Sequence, residues 1–135
     1  MKKTAIIAAL SIAAALLLGT PAQSQDMEQM AKIPPPVRAK AQTAFLEKKL
    51  QLNPEQKSKV EAINLKYAEK MQPVLDGSAG GMFARMREGK KLEGEKDAEL
   101  RGVLNPQQFQ TYEASKDEMK QKVLQELKEK RAAGQ

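Results

Sequence analysis

Histidine, cysteine and tryptophan are all absent from this 135-residue chain. Without cysteine there is no thiol nucleophile, no redox pair and no disulfide to staple a small core. Without histidine there is no Ser-His-Asp machinery, and zinc sites built from His or Cys lack their ligands. The methionines are scattered, so a thioether copper(I) site is not expected either. Carboxylates are plentiful, but no acidic pair stands in an apolar setting that would tune one of them for acid–base work. No catalytic residue, metal or cofactor is therefore expected. Large core residues are also few, the aromatics being Phe45, Tyr67, Phe83, Phe109 and Tyr112. A compact monomer of this size would be thin-cored, which favours an extended helical shape that completes itself by forming a homodimer.

Lys and Arg number 23 against 17 Asp and Glu, a formal charge of +6. Two of those lysines, Lys2 and Lys3, precede an apolar run from Ala5 to Leu18 interrupted only by Ser11. The run is shorter than the roughly 20 residues a spanning helix needs, and small residues follow it in Gly19-Thr20-Pro21-Ala22-Gln23-Ser24. This is the order of a secretory signal peptide. Residues 1–22 are expected to be removed, with cleavage after Ala22 or Ser24, leaving a periplasmic protein without stable membrane insertion. The remaining basic excess lacks the dense patch of a nucleic-acid binder.

Residues 23–36 are polar and end in Ile33-Pro34-Pro35-Pro36, which predicts a flexible arm with a stiff, polyproline-like end. Residues 37–131 then carry apolar stripes with helical spacing. Val37, Ala41, Ala44 and Phe45 mark one helix to about Leu50, and Val60, Ile63, Tyr67 and Met71 mark a second, which Pro73 should bend or end. Asp76 to Gly81 reads as a loop. Gly89 and Gly94 weaken the next segment, so helix is expected from about Leu92 to Val103 behind a mobile, partly helical stretch. Phe109, Tyr112, Met119, Val123 and Leu127 form a last stripe, broken once at Lys116, with Glu118/Lys122 and Glu126/Lys130 as supporting pairs. Residues 132–135 should be a disordered tail. No segment alternates with period two, so the expected fold is all-α: an elongated hairpin or bundle of about four helical segments.

One device occurs twice, as Leu52-Asn53-Pro54-Glu55-Gln56 and Leu104-Asn105-Pro106-Gln107-Gln108. Each Asn can cap free backbone N–H groups, each Pro sits where its missing N–H costs nothing, and each Gln stands at capping-box spacing. Phe109 is placed to form a hydrophobic staple with Leu104. Aligned on the motifs, Glu61/Glu113, Ala62/Ala114 and Lys70/Lys122 also match. Two copies suggest a pseudo-symmetric pair of helix starts, each Leu buried beneath its cap.

The doubled motif resembles the Leu-Thr-x-x-Gln pattern of periplasmic proteins of the Spy/CpxP type, over about Val37 to Leu127. Asn replaces Thr in both copies, which keeps the capping chemistry. The segment between the motifs is shorter and richer in glycine than in the Spy-like chaperones. The resemblance implies helical, dimeric proteins that act as ATP-independent chaperones or envelope-stress modulators, with unfolded or envelope proteins as partners. Met82, Phe83, Arg85, Met86 and Arg87 follow the Gly-rich loop and form the candidate client surface, flexible apolar side chains beside cations. Rival readings are a metal- or stress-sensing helical protein, and a structural envelope protein with one dedicated partner. The Lys/Glu-rich stretch from Lys116 to Arg131 mixes both charge signs and reads as a solvated helix face or a dimer seam rather than a membrane-surface helix.

Overall fold

The computed structural model describes residues 21–134, and the expected leader therefore lies almost wholly outside the described residues. Six helices make up the described chain: α1 (Pro21–Ala31), α2 (Pro35–Leu50), α3 (Pro54–Asp76), α4 (Met82–Arg101), α5 (Pro106–Ala114) and α6 (Lys116–Ala132). No strand occurs among the described residues, as the helical periodicity predicts. No described helix is long and apolar enough to cross a membrane.

The pairing of side chains sets the topology. Glu47 meets Lys57, Thr43 meets Asn64, and Arg38 meets Gln72, so α2 and α3 run antiparallel. Tyr67 meets Glu99 while Val74 lies against Gly89 and Arg85, which makes α3 and α4 antiparallel too. α6 returns along α2, with Lys49 bonded to Glu118 and Ala41 and Val123 sharing a cluster. α3 is the central helix, touching α1, α2 and α4. Apolar side chains gather in three clusters rather than one core. The largest holds Leu46, Leu50, Val60, Leu100, Leu104, Phe109, Tyr112 and Met119. The others centre on Met30, Ile33, Val123 and Leu124, and on Tyr67, Val74 and Leu92.

The expected four helical segments are six helices, and several further expectations are corrected. Residues 23–36 are not a free arm: most of them form α1, which buries Met30, and the turn after it buries Ile33. The prolines explain the misreading. Pro34 alone keeps extended geometry (φ −55°, ψ 139°) as the cap of α2, while Pro35 and Pro36 occupy the first turn, where no N–H is needed. The buried Arg38 fastens this corner by donating to the carbonyls of Met30, Ile33 and Ala68 and to the Gln72 side chain.

The stretch after the glycine loop is likewise ordered, as the first half of α4. Gly89 faces α3, where an added Cβ would lie 3.5 Å from Val74, an ordinary packing contact, so the glycine does not break the helix. The final stripe, finally, is two helices rather than one. Ser115 is buried at φ −103°, ψ 1°, and its hydroxyl donates to Thr111 O at 2.6 Å, a back-bond that bends helices. Glu118 accordingly pairs with Lys49 of α2 rather than with Lys122. Pro73 does not end its helix; α3 continues to Asp76 and stops at Gly77 with φ 87°.

Gly94 lies inside α4 with open space where a Cβ would stand. Gly94→Ala should raise stability by about 1 kcal/mol, the helix-interior cost of glycine, read as a higher urea midpoint at unchanged slope. An unchanged or lower midpoint would show that α4 is not a stable helix at this position.

Candidate functional site

Two groups of side chains carry the expected site, and they lie in different parts of the molecule. The motif copies meet at the end where the α2–α3 and α4–α5 corners come together. In each copy the Asn side chain accepts from the Gln backbone N–H at 2.8 Å, and the Gln side chain accepts from the Asn backbone N–H, at 3.2 Å in the first copy and 3.0 Å in the second. Both capping boxes are thus complete, with Pro54 and Pro106 at the first helical positions.

The glutamines then join the copies. Gln56 Nε2 donates to Gln108 Oε1 at 2.8 Å and to the Val103 carbonyl at 3.2 Å. Gln108 Nε2 donates to Gln56 Oε1 at 3.3 Å and to the Leu50 carbonyl at 3.1 Å. Every amide proton and oxygen of the pair has a partner, which a half-buried amide needs if it is to stabilise rather than cost. The Leu50 carbonyl is available because Gln51 ends α2 in the left-handed region, at φ 52°. Leu104 is buried in the main cluster with Phe109 and Tyr112, and Leu52 packs against the same cluster. The eight motif residues therefore form one structural clasp. Asn64, deeper between α2 and α3, donates to Thr43 at 3.0 Å while its Oδ1 is buried without a partner.

Met82, Phe83 and Met86 stand at the start of α4 with 53%, 84% and 57% of their surfaces exposed. Arg85 does not join them. Its guanidinium turns back to the end of α3, where Nε donates to Val74 O at 2.7 Å and Nη2 to Leu75 O at 3.0 Å. It neutralises orphan carbonyls at the negative end of that helix. Arg87 is exposed and borders a shallow depression with Lys70, Pro73 and Glu88.

Sequence reasoning missed a third place, a half-open cavity of about 330 Å³ lined by residues of all six helices. Its signal was the break at Lys116. That side chain reaches Glu93 at 3.0 Å and Asp97 at 2.7 Å and lies 5.3 Å above the Tyr112 ring. Burial alone would lower its pKa, but the hydrogen bonds it donates to Asp97 and Glu93, with their charges, outweigh that and the net shift is upward. Tyr112 also donates to Asp97, at 2.9 Å, and burial followed by that carboxylate raises its pKa. Tyr67 donates to Glu99 and is pushed up to about 12, first by burial and then by Glu99. Among the described residues no three acidic side chains converge to hold a metal ion.

The profile of a family described as a domain of unknown function (DUF4890) matches residues 22–112, and the chain belongs to that family. The matched span takes in α1 and both motif copies and stops before α6. No curated protein and no solved structure gives a match to this chain.

The clasp predicts non-additive losses. Gln56→Ala and Gln108→Ala should each cost about 1–3 kcal/mol, because each strands a carbonyl and half of the amide pair. The double variant should cost less than the sum, with a coupling of roughly 0.5–3 kcal/mol in urea titration. Losses that add to within a few tenths would mean that the two copies stand independently.

Proposed function

We propose that this DUF4890 chain is a non-enzymatic protein of the cell envelope, related to the Spy/CpxP type, that holds unfolded or envelope polypeptides without ATP. The observation that carries the reading is the trio Met82, Phe83 and Met86. Large apolar side chains that cluster in the open mark an interaction surface more often than isolated ones do. Met and Phe suit a surface that must accept varied apolar segments, since the unbranched thioether repacks at little cost. Arg87 and Lys90 are exposed close by on the same helix and would favour segments that also bear acidic groups. Arg85, which the sequence places with this surface, supports it from behind by fixing the end of α3 against the start of α4.

Export through a cleaved leader and a homodimer both belong to this reading. Two copies of so small an apolar trio would give a client two points of attachment, and simultaneous attachment raises avidity without new contacts. Light scattering that finds only monomer at the concentrations where clients are protected would remove the dimer and leave the rest.

The test uses two unrelated clients diluted from denaturant in the presence of the mature protein. Aggregation of both should be suppressed near one-to-one stoichiometry without ATP. The variant carrying Met82→Ser, Phe83→Ser and Met86→Ser should lose that protection while keeping its helical spectrum, because the three side chains are solvent-exposed. Failure to protect either client would overturn the chaperone reading, and undiminished protection by the variant would move the binding surface elsewhere.

A further inference from the structure

Four cations, Arg38, Lys96, Lys116 and Lys120, line the cavity between the helices, against the carboxylates of Glu93 and Asp117. Most of these charges are already used. Lys116 bridges Glu93 and Asp97, and Lys120 bonds Asp26 of α1 at 3.1 Å. Arg38 gives its protons to three carbonyls and Gln72. Lys96 is left with one weak partner, the Gln42 side-chain oxygen at 3.5 Å, and with no carboxylate in ion-pair range. Lys96 is half-buried, and desolvation pushes its pKa down to about 8 although the neighbouring charges of Asp97 and Glu93 pull the other way, as befits an ammonium with no direct ion pair. The apolar part of the wall is Met30, Met71, Leu92 and Met119, with the rings of Tyr67 and Tyr112.

We propose that this cavity binds a small amphipathic anion, a single carboxylate on an apolar body, with the Lys96 ammonium as its counter-charge and the methionine- and tyrosine-lined walls around its tail. One cation without a direct ion pair suits one negative charge, and a cavity whose other cations are already engaged selects against inorganic phosphate, which needs several donors. The volume, about 330 Å³, lies at the small end of ligand pockets, which run from roughly 300 to 1,000 Å³. That admits one medium-length acyl or arylalkyl chain and excludes a two-chain lipid. The three methionines let the walls adapt to tails of different shape. The site is separate from the exposed trio at the start of α4 and does not depend on the holding of clients.

Calorimetric titration with sodium octanoate, and in parallel with 1-octanol and with inorganic phosphate, tests the assignment. Octanoate should bind saturably with one site per chain, and about tenfold or more tighter than 1-octanol. Lys96→Met, which keeps most of the length and removes a partly desolvated charge that has no direct ion pair, should fold at least as well and bind octanoate no better than octanol. Lys96→Gln serves as a second neutral variant should the first fail to fold. The Met82→Ser, Phe83→Ser, Met86→Ser variant should bind octanoate as the parent does. Absence of saturable octanoate binding, equal affinity for octanol, tighter binding of phosphate, undiminished binding by a neutral Lys96 variant, or loss of binding in the serine variant would each overturn the proposal.

Discussion

The reciprocal amide pair between Gln56 and Gln108 is the interaction on which the arrangement of helices depends. Four helix ends converge there, and each brings backbone groups with no partner inside its own helix. The two capping boxes satisfy the starts of α3 and α5 locally. The glutamine side chains then reach across to Val103 and Leu50, residues at or just past the ends of α4 and α2. A start signal from one hairpin thereby closes the end of the other. The cross-bonds are not related by strict symmetry, since Val103 and Leu50 do not correspond when the motifs are superposed. The device is repeated in sequence and only approximately in space.

Beneath this clasp the apolar material is divided among three clusters, and polar side chains do the work that a larger core would do elsewhere. Arg38 ties α1 to α2 and α3, Lys116 ties α6 to α4, and Tyr67 and Tyr112 bond carboxylates of α4. Such bonds fix geometry more firmly than oily contact, because a buried polar group that shifts away from its partner loses about 1–3 kcal/mol. Several of these polar side chains, Arg38, Tyr67, Tyr112 and Lys116, also line the half-open cavity between the helices.

The helical class, the two motif helices and their caps were legible because their signals are local: an Asn before a Pro, a Gln three residues on, and stripes of period 3.6. What the sequence hid depends on partners distant along the chain. α1 has too weak an apolar stripe to declare itself, and becomes a packed helix through Met30, Ile33 and the long reach of Arg38. The glycines of α4 read as breaks, whereas the helix runs through both of them, held by its packing against α3. Arg85 read as half of a cationic, apolar surface, but its distance to the end of α3 is set by the glycine turn and could not be foreseen from spacing.

Lys116 is the most instructive residue of this kind. A lysine in the middle of an apolar stripe looks like a defect when only its own helix is considered. Seen with α4, it is the cation that Asp97 and Glu93 require, and its inward course goes with the bend at Ser115 that separates α5 from α6. Its pairing decides the state of its neighbour as well. Lys116 engages both Glu93 and Asp97, and neither carboxylate makes a direct ion pair with Lys96, which lies three and one residues away from them on the same helix and feels their charge only from a distance. That the cavity holds an ammonium without a direct ion pair is thus a consequence of the same ion pairs that hold α6 in place, and the charge available to a ligand is set by the packing of the fold.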